Sequence, residues 1–195
     1  MAGLSSYATD GFYYADTFDG RLFISGGRDC EGKLHEARWI DEVSMRLESR
    51  MSMINARSRH CMTYISGNYL MATGGIENYT VTKKCEMYAI DHDSWSVCEP
   101  MNEARRNHSA VEAKDGVLYV FCGIGEEGHF SGIERFTRSG NLWELIETDI
   151  QIPVRSDPGL VAINSGEQLV IFGGSGSEFK PLADVFTLHT GCNRI

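Results

Sequence analysis

Histidines and arginines recur at regular spacing and are the side chains on which chemistry could be built. His60 and His108 lie 48 residues apart, and Arg57, Arg105 and Arg155 occupy similar places before strand-like segments. An imidazole is a common metal ligand, and a guanidinium can bind a carboxylate. The histidines lack carboxylate or thiolate partners in phase with them, so we predict no metal site. The arginines could bind a partner's carboxylates or pair with acidic neighbours within their own repeat, and both interpretations stay open.

Arrangements typical of catalysis are missing from the sequence. The run 173–177 is rich in glycine but lacks the lysine and the following helix of a phosphate-binding loop. There is no Gly-x-Ser-x-Gly, and no Ser, His and Asp set suggests a triad. The cysteines show neither C-x-x-C pairs nor zinc-like spacing; they are Cys30, Cys61, Cys85, Cys98, Cys122 and Cys192. We therefore predict reduced structural thiols, no catalytic residue and no cofactor.

Charge and apolar patterning restrict the partners. The net charge of -9 disfavours binding to nucleic acid and adsorption to anionic membranes. The longest apolar runs have the length of strands, and the first residues lack the basic and apolar regions of a signal peptide. Together with reduced thiols, these features predict a cytoplasmic protein with no membrane partner.

The chain repeats itself about every 48 residues. Gly26-Gly27, Gly74-Gly75 and Cys122-Gly123 follow one another at that interval, and Gly173-Gly174 comes 51 residues later. A fixed period near 50 residues with a glycine pair in each unit indicates a propeller-type array. The predicted units cover residues 8–50, 57–99, 105–147 and 155–190, of which the last is truncated.

The third unit shows what each repeat should build. Segments 108–113, 117–122, 133–137 and 142–146 have the length and apolar pattern of strands, and Lys114-Asp115-Gly116 is a turn signal. Four antiparallel strands joined in order form one twisted sheet. One such sheet cannot bury its faces alone, so neighbouring units must stack on it.

This pattern resembles the kelch repeat. The resemblance is carried by Trp95-x4-Pro100-Met101-x3-Arg105-x2-His108-Ser109, and then by a glycine, an aromatic and a tryptophan at fixed distances. Tyr88 and Trp95 lie 13 and 20 residues after Gly75, and Phe136 and Trp143 lie at the same distances after Gly123. The departures are Cys122 in place of a glycine, Leu47 in place of a tryptophan, and the shortened last unit.

The resemblance implies an all-β fold, a kelch-type β-propeller of four-stranded antiparallel blades. Kelch propellers most often have six blades, so this chain is predicted to form an incomplete ring, and residues 1 to 10 could supply a closing strand to the last blade. Residues that recur from unit to unit are interpreted as structural; they are Gly26, Gly27, Gly74, Gly75, Tyr88, Trp95, Gly123, Phe136, Trp143, Gly173 and Gly174.

Function is then expected on the loops, where the family commonly binds a partner peptide. The candidate partner-binding residues are Arg28, Arg57, Tyr79, Arg105, Glu126, Glu127, His129, Phe130, Arg155 and Phe179. The resemblance implies a scaffold or adaptor for a protein partner of the cytoskeletal or ubiquitin-ligase type. Two alternatives stay open: a kelch-propeller enzyme (oxidase, epimerase or metal-dependent lyase), or a half-ring completed by self-association through open blade edges or by another chain.

Overall fold

The chain folds into antiparallel β-sheets. A computed structural model describes residues 13–16, 21–28, 32, 34–41, 43–114, 116–147 and 152–190. Among these residues the helical segments are three single 3-10 turns, at Ile90–His92, Asn164–Gly166 and Ser177–Phe179. The all-β class predicted from the sequence is confirmed.

Three sheets have four described strands each and a fourth has three, with chain order preserved across each sheet. Sheet 1 contains β1 (Tyr13–Asp16), β2 (Arg21–Ser25), β3 (Ala37–Asp41) and β4 (Leu47–Arg50). Sheet 2 contains β5 (Cys61–Ile65), β6 (Tyr69–Thr73), β9 (Cys85–Ala89) and β10 (Ser94–Cys98), with a small ribbon, β7 (Ile76–Glu77) and β8 (Thr80–Val81), in the loop between β6 and β9. Sheet 3 contains β11 (Ser109–Glu112), β12 (Val117–Phe121), β13 (Ile133–Thr137) and β14 (Leu142–Ile146). Sheet 4 contains β15 (Gly159–Ile163), β16 (Gln168–Phe172) and β17 (Val185–His189).

The register repeats from sheet to sheet as the spacing predicted. The third and fourth strands pair an aromatic with a tryptophan: Tyr88 with Trp95 in sheet 2, and Phe136 with Trp143 in sheet 3. The ring centroids of these pairs lie 5.1 and 5.0 Å apart. In sheet 1 the same register pairs Ile40 with Leu47. Neighbouring aromatics on one face stabilise a sheet, and here they form the surface on which the preceding sheet packs.

Adjacent sheets stack face to face, and each interface has its own apolar core. We call the face toward the following sheet the front face and the opposite one the back face. Phe23 and Trp39 on the front face of sheet 1 pack against Tyr88 on the back face of sheet 2. Leu118 and Phe136 on the back face of sheet 3 pack against sheet 2 in the same way. Side chains alternate between faces along a strand, so each sheet contributes to two cores.

The first strands of the sheets follow one another as neighbours, β1 beside β5, β5 beside β11 and β11 beside β15. Among the described residues, no comparable contact returns from β15 to β1. The stack is therefore open across its described part. The predicted closing strand of residues 1 to 10 lies outside the described residues.

The glycine pairs lie where one unit approaches the next. The Gly75 N–H donates to the carbonyl of Arg105, 2.8 Å away, and Gly74 has a φ of +57°. A Cβ on Gly74 would lie 2.3 Å from that same carbonyl oxygen. Cys122 occupies the equivalent position in sheet 3 with a φ of +60°, a conformation that costs a residue with a side chain about 1–2 kcal/mol.

Gly74→Ala is therefore expected to lower the free energy of unfolding by at least about 1–2 kcal/mol, because it adds left-handed strain and a backbone clash. Urea unfolding measures the change. Gly140→Ala is the matched control, since the nearest neighbour of its added Cβ would lie 3.7 Å away. An equal loss in both variants would contradict the assigned role of Gly74.

Candidate functional site

The three recurring arginines lie inside the molecule. Arg57, Arg105 and Arg155 each have 0% exposure, and each guanidinium forms an ion pair with a carboxylate 29 residues downstream. The N–O distances are 2.5 Å for Arg57–Glu86, 2.6 Å for Arg105–Glu134 and 2.9 Å for Arg155–Asp184. The interpretation as partner-contacting residues is corrected by this burial: the geometry matches the alternative, pairing with acidic neighbours within the repeat.

Each arginine also fixes the backbone of its own repeat. Arg105 Nη1 donates to the carbonyls of Cys122 and Gly132, at 3.0 and 2.9 Å. These two carbonyls lie at opposite ends of the loop that joins β12 to β13, so one guanidinium holds both ends together. Burial lowers the pKa of Arg105, and the charge of Glu134 opposes that change. Arg105 thus fixes the shape of this loop from the interior of the molecule, and its side chain does not reach solvent.

The carboxylates that pair with the arginines were missed in the sequence, although Glu86 and Glu134 are also 48 residues apart. Glu134 accepts hydrogen bonds from the backbone N–H groups of Asn102 and Glu103, at 2.6 and 3.1 Å. Glu86 does the same for Ile54 and Asn55. Each carboxylate therefore fixes the segment that enters its sheet from the preceding one.

The recurring histidines connect neighbouring sheets. His60 Nε2 lies 3.1 Å from Ser25 Oγ, and His108 Nε2 lies 2.8 Å from Thr73 Oγ1. Burial, and then the nearby Arg57 or Arg105, lowers the pKa of each imidazole well below its ordinary value. Both rings are thus held neutral at the interface. Within the described parts of the chain, no group of three His, Cys, Asp or Glu side chains is placed to hold a metal ion.

The described cysteines are free thiols: Cys61, Cys85, Cys98 and Cys122. Burial raises the pKa of Cys85 to about 12, and of Cys98 and Cys122 to about 11. A thiol with so high a pKa is a poor nucleophile because little thiolate is present near neutral pH. Cys30 and Cys192 lie outside the described residues.

The loop residues predicted from the sequence divide into two groups. Arg28 and Tyr79 are exposed on the loops of sheets 1 and 2, and Tyr79 has 84% of its surface accessible at the tip of the β7–β8 ribbon. The other exposed or half-buried candidates lie on the loops of sheets 3 and 4; they are Glu126, Glu127, His129, Phe130 and Phe179. The His129 ring meets Phe179 edge to face with centroids 5.5 Å apart, so the loops of these two sheets touch.

An open cleft of about 690 Å³ lies against the loop of sheet 3 that carries His129. Its walls are Glu103, Ala104, the loop 125–130, Gly132 and Leu145. The Phe130 ring contacts the buried guanidinium of Arg105, whose Cζ is 4.5 Å from the ring centroid. The ring is thereby anchored to the rigid part of the repeat, and the cleft has a fixed aromatic wall.

The cleft is acidic. Glu103, Glu126 and Glu127 line it and are exposed, and none of them has an ion-pair contact with a described residue. By contrast, Glu178 on the neighbouring loop is paired with Lys180 at 2.7 Å. Exposed carboxylates concentrated in one concave region create a negative potential that attracts cationic groups.

The chain matches no protein-family model and no curated protein at a significant level. Over the described residues, the structure contains no helix with the length and apolarity needed to cross a bilayer.

Proposed function

We propose that the chain is a non-catalytic interaction module of the kelch type, which holds a partner protein on the loops of sheets 3 and 4. The repeat of about 48 residues, the shared register of sheets 2 and 3 and the front-to-back stacking support a propeller-type architecture. In such arrays the strands form a scaffold and the loops carry recognition.

The acidic cleft at Glu103, Glu126 and Glu127 is the observation that carries this proposal. The charge of Glu103 acts on the buried Arg105, but none of the three carboxylates lies at ion-pair distance from a described Lys or Arg. The buried carboxylates Glu86 and Glu134, by contrast, each form an ion pair. A cationic partner would be attracted by the negative potential of these three exposed carboxylates. We find no contact through which these three carboxylates hold the described fold together by an ion pair.

The expected partner segment combines a basic side chain with an apolar one. Leu145 and Phe130 line the cleft, and Phe179, which meets His129, is 72% exposed. Aromatic side chains are enriched at the centres of protein-binding surfaces, and polar groups lie at the rims. The segment would place Lys or Arg among the three glutamates and an apolar side chain against Phe179.

Short synthetic peptides in which Lys or Arg flanks Leu or Phe test this proposal by calorimetry, with Glu-substituted versions as negative peptides. The intact chain is expected to bind the basic peptides and not the acidic ones. Glu126→Lys combined with Glu127→Lys is expected to weaken binding about tenfold or more, since each exposed charge is worth about 1 kcal/mol at contact distance. The affinity should also fall as salt is added.

The matched control reverses two charges at the opposite ends of the strands. Asp91→Lys with Glu167→Lys changes the net charge by the same amount, but these residues lie by the 3-10 turns on the far side of the sheets. Loss of binding in the cleft variant alone supports the site. Equal loss in both variants means that net charge alone attracts the peptides, and absence of binding to the intact chain removes the proposal.

A further inference from the structure

The front face of sheet 4 is built like an inter-sheet interface but is exposed. Phe172 occupies the position of Ser25, Thr73 and Phe121 in the other sheets, all of which have 0% exposure, yet Phe172 is 44% exposed. Val185 corresponds to residues that are 0–2% exposed in sheets 1 to 3, and it is 62% exposed. The equivalents of Val185 are Ala37, Cys85 and Ile133.

The exposed face is largely apolar and contains no Lys, Arg, Asp or Glu side chain on its three strands. Its rows across the three strands are Gly159, Phe172 and Val185, then Val161, Val170 and Thr187, then Ile163, Gln168 and His189. Three β-branched side chains, Val161, Ile163 and Val185, are exposed on it. A chain of net charge -9 repels its own copies over most of its surface, but this face offers no such repulsion. Contiguous apolar surface of this kind marks an interaction site.

A backbone N–H group of sheet 4 also differs from its equivalents in sheets 1 to 3. The second glycine of each earlier pair donates its N–H to the carbonyl of the arginine in the following unit, at distances of 2.9, 2.8 and 2.8 Å. The donors are Gly27, Gly75 and Gly123, and the acceptors are Arg57, Arg105 and Arg155. Gly174 is the fourth such donor, and its N–H has no acceptor among the described residues. In each of the three earlier cases the acceptor belongs to the unit that follows the donor in the chain.

Sheet 1 has a back face on which no described sheet packs. Leu22, Ile40 and Leu47 pair across β2, β3 and β4 in the register of Leu70, Tyr88 and Trp95, the row with which sheet 2 covers sheet 1. Leu47 in this row is 41% exposed. One copy of the chain thus presents both a front face and a back face of the same kind of interface.

We propose that the front face of sheet 4 binds the back face of sheet 1 in a second copy of this chain. Two copies joined twice in this way form a closed array of eight sheets, within the range found for propellers. Rotation by 180° relates the copies, so the contact closes on itself and no filament grows. This surface is separate from the acidic cleft, so its failure would leave the proposed partner site untouched.

Light scattering coupled to gel filtration tests the proposal on the full chain. The expected mass is twice the 21.7 kDa of one chain. Val185→Glu and Val161→Glu place a charge in the apolar contact and should each yield monomer, without loss of the folded circular dichroism signal because both side chains are exposed. Val97→Glu, at 68% exposure on β10, is the matched control and should remain a dimer.

Leu47→Glu tests the other half of the contact. The head-to-tail arrangement requires that it also dissociate the dimer; a dimer broken by Val185→Glu but kept by Leu47→Glu would pair two front faces instead and overturn the proposal. Wild-type monomer at every soluble concentration, or association without a defined mass, would overturn it as well.

Discussion

Glu134→Ala is expected to lower the free energy of unfolding by about 3–5 kcal/mol, because it leaves the guanidinium of Arg105 buried without its counter-charge. Both side chains have 0% exposure, and their N–O distance is 2.6 Å. The loss goes beyond the ion pair, since Glu134 also accepts hydrogen bonds from the backbone of Asn102 and Glu103. Buried donors left without an acceptor add their own desolvation cost.

Urea unfolding at neutral pH measures this change, and sheet 4 provides the control. Asp184 makes the equivalent pair with Arg155, but its side chain is 36% exposed. Removing this partly exposed carboxylate opens a path for water to the Arg155 guanidinium, whereas removing the buried Glu134 does not do so for Arg105. Asp184→Ala should therefore cost clearly less than Glu134→Ala. Equal losses would show that burial does not set the strength of these pairs.

Removing both charges of the pair gives a second check on the same network. In Arg105→Met with Glu134→Gln, no buried charge is left alone, so the loss should be smaller than the sum of the two single losses. It should not vanish, because Cys122 and Gly132 lose the donor of Arg105. Additive losses would contradict the assigned coupling.

The strands and their register could be predicted because the repeat records them directly. An aromatic and a tryptophan at constant distances after the glycine pair, as in Tyr88 and Trp95, specify which residues face each other across the third and fourth strands. Both side chains are large and mostly apolar, and the full burial of Tyr88 and the partial burial of Trp95 follow from their types. For such residues, sequence position and structural role are closely linked.

The burial of the arginine side chains could not be predicted from their type, since an arginine usually lies on the surface. Arg57 and Arg105 can be buried because each forms an ion pair with a carboxylate 29 residues later, on the third strand of its sheet. That constant offset is present in the sequence of three units and is the signal that could have revealed the pairs. The contact between His129 and Phe179 has no such signal, because it joins two loops that do not repeat.

Acidification below about pH 6.5 is expected to destabilise the fold through His60 and His108. The folded pKa of each is well below 6.5, so the folded state binds fewer protons than the unfolded state in this range. Stability is then fully present above about pH 6.5 and falls as the pH drops, by about 1.4 kcal/mol per pH unit for each histidine. The loss ends where the folded pKa is reached.

Carboxylates act in a different range, which makes the test specific. The pKa of Asp93 is lowered chiefly by its hydrogen bond from Tyr88, and that of Asp184 by its hydrogen bond from Arg155. Their stabilising contribution is present above about pH 4 and is lost only below it. Between pH 6.5 and 4.5 the slope of stability against pH therefore reports mainly the two buried histidines.

His60→Gln combined with His108→Gln should remove most of this slope. Glutamine can still bond to Ser25 and Thr73 but cannot take up a proton, so stability should become nearly independent of pH in this range, even if it is lower throughout. Urea unfolding at half-unit pH steps measures the slope, with His92→Gln, an exposed histidine, as the control that keeps it. A slope that persists in the double variant would mean that protonation elsewhere governs the acid sensitivity. Its disappearance would show that the hydroxyl–imidazole contacts between neighbouring sheets, which recur with the repeat, make the stacking of the first three sheets dependent on pH.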